Sequence, residues 1–401
     1  GTDALASQNF TTSTDSYNTA VGMNAGLSVT TGVENTLIGG LAGDALTDAD
    51  FNVAFGVAAL GSDTKGSKSV AIGNSALLRQ NFTTATDSFN VAVGHDSGSN
   101  ITTGIRNTLI GGLAGDALTS ANQNVAIGYL ALSADTQGEN NIAIGANALA
   151  AQNFTTSTQS MNVAIGRDAG GAVTTGVENT LIGSLAGDAL TDADFNVAFG
   201  VAALGSDTKG SKSVAIGNSA LLRQNFTTAT DSFNVAVGHD SGSNITTGIR
   251  NTLIGGLAGD ALTSANQNVA IGYLALSADT QGENNIAIGA NALAAQNFTT
   301  STQSMNVAIG RDAGGAVTTG IFNVLIGGQA GDAITDADFN VAVGTNALST
   351  NILGSQNVAI GNAALNAMNP ATAADMYNTA VGASAGLSVT TGISNTLIGG
   401  L

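Results

Sequence analysis

A chain of 401 residues with 54 glycines, a single proline (Pro370) and 9% charged side chains is unlike a compact enzyme domain, and the strict spacing of its apolar residues is unlike disorder. A formal charge of −18 leaves no basic stripe to displace counterions from phosphates, which argues against nucleic acid as a partner. With no cysteine there is neither a disulfide framework nor a thiolate metal site, and no run approaches the roughly 18 apolar residues of a membrane helix, so no membrane insertion is expected of this segment.

The chain is organised by one pentapeptide. It appears as Asn18-Thr-Ala-Val-Gly22, then Asn35-Thr-Leu-Ile-Gly39, Asn52-Val-Ala-Phe-Gly56, Ser69-Val-Ala-Ile-Gly73 and Asn90-Val-Ala-Val-Gly94, and continues to Asn395-Thr-Leu-Ile-Gly399. Its spacing runs 17, 17, 17 and 21 residues, a superperiod of 72. Fixed short periods of this kind predict a solenoid. The length would allow two or three ordinary domains. No linker or change of composition breaks the register, however, so residues 1–401 are expected to form one continuous repeat region. Both ends fall inside a repeat, which suggests a window of a longer chain with any anchor, leader or tip outside it. Residues 41–176 recur unchanged as 185–320, two superperiods on.

The first unit, 18–34, ends in the turn signal Thr30-Thr31-Gly32-Val33. The second, 35–51, carries Gly39-Gly40-Leu41-Ala42-Gly43-Asp44, and the third, 52–68, carries Ala59-Leu60 and then a polar stretch from Ser62 to Gly66. The fourth, 69–89, is the long one, with its four extra residues around Gln80-Asn81-Phe82-Thr83-Thr84. Within each pentapeptide the second and fourth residues share one face and the third takes the other, the period of a strand. The third is always Ala or Leu, so both faces are apolar and each strand should be covered on both sides. Gly22, Gly39, Gly56, Gly73 and Gly94 then permit tight bends. A second apolar step, Ala25-Gly26, Ala42-Gly43, Ala59-Leu60 and Ala76-Leu77, reads as a second short strand. There is no helical period. The expected fold class is therefore all-β: a parallel β-solenoid, or β-roll, of 17/17/17/21-residue coils.

Asn heads every pentapeptide but two, which begin with Ser69 and Ser213. Stacked at one corner, Asn18, Asn35, Asn52, Asn90, Asn107, Asn124 and Asn141 should form an amide ladder along the axis. A thin coil can seal one strand face inside itself. The other is expected to pack on a neighbouring chain, making the protein an obligate oligomer.

Asn/Ser-Val-Ala-Ile-Gly followed three residues later by Ala resembles the head repeats of trimeric autotransporter adhesins. The version with Thr-Thr-Gly and Asn-Thr-Leu-Ile-Gly at 17-residue spacing is similar to shafts of bacteriophage tail fibres and related bacterial surface fibres. The resemblance covers every coil and implies three chains side by side around one axis, with a left-handed roll as in the adhesin heads. This chain departs from those heads in its longer coils and its regular 21-residue unit.

The register also tests candidate sites. His95 aligns with Met23, Arg167, His239, Arg311 and Ala383, the behaviour of a solvated edge. Asp44, by contrast, aligns with Asp116, Asp188, Asp260 and Asp332. These are weak calcium candidates, because the flanking Gly-Gly-Leu-Ala-Gly-Asp lacks the nine-residue repeat that stacks calcium-binding turns. An Asx-type turn is the favoured reading. Phe10, Phe82, Phe154, Phe226 and Phe298 fall once per superperiod in the long unit. They are candidate receptor contacts, weighed against a packing role, which is the favoured reading; Pro370 in the sixth copy marks the ring as dispensable to the coil. No catalytic set and no cofactor-binding pattern occurs, so no enzyme and no cofactor are expected.

Stacked at about 4.8 Å, the coils would reach on the order of 100 Å. The leading expectation is a structural shaft or head segment of an extracellular homotrimeric attachment fibre, on a virion or cell surface, extending a receptor-binding tip. In the second reading the lateral surface itself binds a cell-surface glycan or protein receptor through the long-unit loops. A third, an ice-binding solenoid, would need a flat Thr array on every coil, whereas Thr30-Thr31 recurs once per superperiod.

Overall fold

The computed structural model describes residues 1–400. Contacts group them into two units, Gly1–Asn196 and Val197–Leu401, each built from the same coils. In the first unit the pentapeptides form three-residue strands, beginning Thr19–Val21, Thr36–Ile38 and Val53–Phe55. Each pairs in parallel with the equivalent strand of the next coil, Thr19 with Thr36, Ala20 with Leu37 and Val21 with Ile38. In the second unit Val197, Ala198 and Phe199 pair likewise with Val214, Ala215 and Ile216. Across the long coil the register advances by 21 residues, Val70 meeting Val91. The fold is an all-β parallel β-solenoid, with no helix among the described residues.

Register is held by what faces inward. Leu37, Ala54, Ala71 and Ala92, all third residues, are fully buried. A one-residue slip would exchange them for the outward row and expose the core. The second and fourth residues point out: Val53 is half-buried and Phe55 is 52% exposed. The chain thus seals its Ala/Leu face by itself and leaves its Val/Ile/Phe face partly bare.

The second apolar step is not a strand. From Gly22 the chain runs through successive turns: Leu27 N–H donates to the Asn24 carbonyl at 3.2 Å and Val29 N–H to that of Gly26 at 3.1 Å. The intervening N–H groups reach neighbouring coils, Asn24 to the Thr2 carbonyl and Gly26 to that of Ala42, both at 2.9 Å. Left-handed residues at alternate positions make this possible, with φ of 57° at Asn24 and 61° at Gly26. In the third coil those places belong to Ala58 and Leu60, at φ 55° and 54°. Side chains rarely adopt this conformation, so nothing in their type announces it. Two-residue second strands do form beside the long coil, where Gly66–Ser67 pairs with Thr86–Asp87.

Leu60 also shows why four coils make one superperiod. Where the strand's third residue is Leu37, the turns on either side carry Gly26 and Gly43. A Cβ on those glycines would lie 2.7 and 2.8 Å from the Leu37 methyl carbons. Where the third residue is Ala54, the turn supplies Leu60, fully buried in the same interior. Strand and turn therefore trade volume, as a close-packed core demands.

Candidate functional site

Two features dominate the coil's corner: the row of Asn side chains and a buried polar cluster at the long coil. The Asn35 backbone N–H donates to Asn18 Oδ1 at 2.9 Å, while Asn35 Nδ2 donates to the Ala49 carbonyl at 2.8 Å. Asn18 thus fixes the next coil's strand with its oxygen, and Asn35 closes its own coil with its nitrogen, as Asn52, Asn107 and Asn124 do. The direct amide-to-amide approach is longer, 3.3 Å from Asn35 Nδ2 to Asn18 Oδ1. Asn35, Asn52, Asn90, Asn107, Asn124 and Asn141 are fully buried, and these bonds meet the desolvation cost of their amides. The bends pack as tightly: at Gly39, φ 135°, an added Cβ would lie 2.3 Å from the Gly56 carbonyl oxygen.

At the long coil Ser69 replaces Asn, and Gln80 fills the gap. Its Nε2 donates to Asp63 Oδ2 at 2.6 Å and to Ser69 Oγ at 2.9 Å, and its Oε1 accepts from Asn90 Nδ2 at 2.8 Å. Asp63 has no exposed surface. Its Oδ1 accepts the Gly66 and Phe82 backbone N–H groups at 3.0 and 3.1 Å. Asp135, Asp207 and Asp279 repeat this arrangement. Burial pushes the Asp135 carboxyl above its ordinary 3.8, against the pull of Gln152 and of the Phe154 and Gly138 amides. Reading the sequence for sites missed this row. The register carries part of the signal, with Asp at 63, 135, 207 and 279, but Asn351 breaks the constancy that singled out Asp44.

The phenylalanine candidates require a correction. Phe82, Phe154, Phe226 and Phe298 are 6–7% exposed, so their rings cannot present a surface to a receptor. Phe82 lies against Gly66, its Cδ2 2.7 Å from where a Cβ would sit, and the Asp63 carboxylate anchors its backbone. Phe10, in the first long unit, is half-buried. In the copies at Phe82, Phe154, Phe226 and Phe298 the long loop lies back on the coil with the Phe backbone hydrogen-bonded to a buried acid.

The Asp44 row lies half-buried on a turn. Ser28 N–H donates to the Asp44 carbonyl at 3.0 Å, and burial raises the carboxyls of Asp44, Asp116, Asp188, Asp260 and Asp332 above 3.8. Asp96 beside Asp116 raises it further. Among the described residues no three His, Cys, Asp or Glu side chains converge to hold a metal. His95 is exposed, with Nδ1 3.1 Å from Asp96 Oδ2.

What the surface does offer is apolar. Phe55, Ile72, Ile110, Phe199, Ile216 and Ile254 project from the strand face, 37–54% exposed. Beside them, the left-handed residue preceding each pentapeptide also turns outward, as at Phe51 and Phe89. A comparison with protein-family models finds no match to the chain, and one with curated proteins likewise finds none.

Proposed function

We propose that this chain is a structural segment of an extracellular attachment fibre, in which three copies lie side by side and bury one another's outward strand faces. The observation that carries this reading is the row of Val, Ile and Phe side chains along each unit, in parallel register and left partly bare by its own chain. An apolar row of this regularity marks an interaction surface, and the repeat resembles fibres built from three chains. A monomer would leave the row in water, while association buries it at about 25 cal/mol per Å². The fibre's work is then mechanical: to hold a tip at a distance and resist unfolding through hydrogen bonds that link successive coils within each unit.

The mass of the native particle tests this. Sedimentation equilibrium or light scattering should return three times the 39.2 kDa chain mass, and exchanging Phe55 and Phe199 for Asp should lower it. A stable monomer would sink the proposal. The lateral-adhesin reading through the long-unit loops loses its phenylalanines to the core and is not carried forward.

A further inference from the structure

Lys68 shows what the cleft between two outward-turned residues accepts. Its Nζ lies 2.5 Å from Asp87 Oδ2 and 5.2 Å from the centre of the Phe89 ring, with Phe51 one coil earlier in the same left-handed row. Phe195, Lys212, Asp231 and Phe233 repeat the set, at 2.6 and 5.4 Å. Where the lysine gives way to Asn140, the other members go with it, replaced by Gln123, Gln159 and Met161, and the copy around Asn284 follows suit. Cation, acid and rings change as one.

The last copy breaks that rule. Phe339, Asp375 and Tyr377 keep the acid and both rings, yet Gln356 stands in the lysine's place. Phe339, Gln356, Val358 and Tyr377 line an open cleft of about 380 Å³. Phe339 is braced from behind by Phe322, the rings stacked at 5.1 Å. Among the described residues the Asp375 carboxylate takes one hydrogen bond, from the Tyr377 hydroxyl at 3.3 Å, and no cation.

We propose that this cleft binds a small alkylammonium ion, its head group held over the Tyr377 ring where Lys68 Nζ sits in the earlier copy, with Asp375, which stands outside the cleft's lining and meets it through the Tyr377 hydroxyl, as counter-ion. The chemistry is that of an aromatic cage: the ring face attracts a weakly hydrated cation, and the carboxylate selects it over a neutral molecule of the same shape. The net charge of −18 adds a general attraction for cations.

Choline is a suitable probe, with 3,3-dimethyl-1-butanol as its neutral isostere, both followed by saturation-transfer NMR on the full chain. A Tyr17→Ala background removes the similar Asp15/Tyr17 edge of the first coil. Choline should bind saturably, and the alcohol about tenfold more weakly. Asp375→Asn should weaken choline about fivefold. Gln356→Lys should abolish binding by placing a tethered ammonium in the site, and the Lys68 copy shows that the fold accommodates that side chain. The proposal is overturned if choline fails to saturate, if the alcohol binds equally well, or if Gln356→Lys binds like the parent.

Discussion

The long coils at 69–89 and 357–377 follow nearly the same path around different interiors. In the first, a buried carboxylate, Asp63, is tied to Gln80 and two backbone amides, and Gln80 continues the network to Ser69 and Asn90. In the second, Asn351 replaces the acid and closes on its own turn, accepting the Gly354 N–H at 2.9 Å and donating to the Gly354 carbonyl at 2.7 Å. Met368 and Met376, both buried, stand where Gln80 and Ser88 stood, and Pro370 replaces Phe82. The backbone accepts either a satisfied polar cluster or an apolar filling. Half of each should be worse than either, because a buried polar group without its partner costs more than the intact cluster contributes.

The sharpest way to break the comparison is to remove the acid alone. Asp63→Leu strands the Gln80 amide and two backbone N–H groups, and should cost about 3–5 kcal/mol in urea unfolding. Hydrogen exchange at Gly66 and Phe82 should rise first. Gln80→Met alone should cost about 1–3 kcal/mol, since Asp63 Oδ2 loses its partner and Asn90 Nδ2 keeps only the Gly104 carbonyl. Replacing the whole set, with Asp63→Asn, Gln80→Met, Phe82→Pro and Ser88→Met together, should recover most of either loss. The coupling should exceed about 1 kcal/mol in a mutant cycle, and additive losses would refute the view of the cluster as one unit.

Acid pH separates the two interiors more gently. The folded Asp135 carboxyl titrates above 3.8, so its ionised form is the one the fold disfavours. The parent should therefore gain stability relative to Asp135→Asn as pH falls through that raised value towards 3.8, with a constant difference above it. Urea unfolding of both proteins between pH 3 and 7 reads this directly. The smallest effect is expected at the surface. Lys68→Gln gives the first copy the outer residue of the last and should change stability by less than about 1 kcal/mol, because the ion pair and ring contact it removes are solvated.

The fold was legible because period and alternation are properties of the chain itself. Third residues restricted to Ala and Leu announced strands apolar on both faces, without saying which face turns inward, and Gly39 and its mates stand where an added Cβ would meet the next coil's backbone. Less of the corner could be read. Phe82 in a run of Asn and Thr looks like a surface ring, and its burial depends on an acid 19 residues earlier. Asp63 among Ser, Thr and Lys looks solvated, because its donors lie in two successive coils.

By itself, then, the sequence determined the all-β class, the coil lengths and the parallel in-register pairing, since all follow from spacing and alternation, while burial in the folded coil decided that the third residue of each pentapeptide is the one that points inward. The tertiary structure alone decided that the second apolar step is a chain of left-handed turns, and that Leu37 and Leu60 exchange places in one interior. It also decided that the polar residues of the long coil form its core. Each of these depends on contacts between neighbouring coils, where hydrogen bonding and packing outweigh the preferences of single residues.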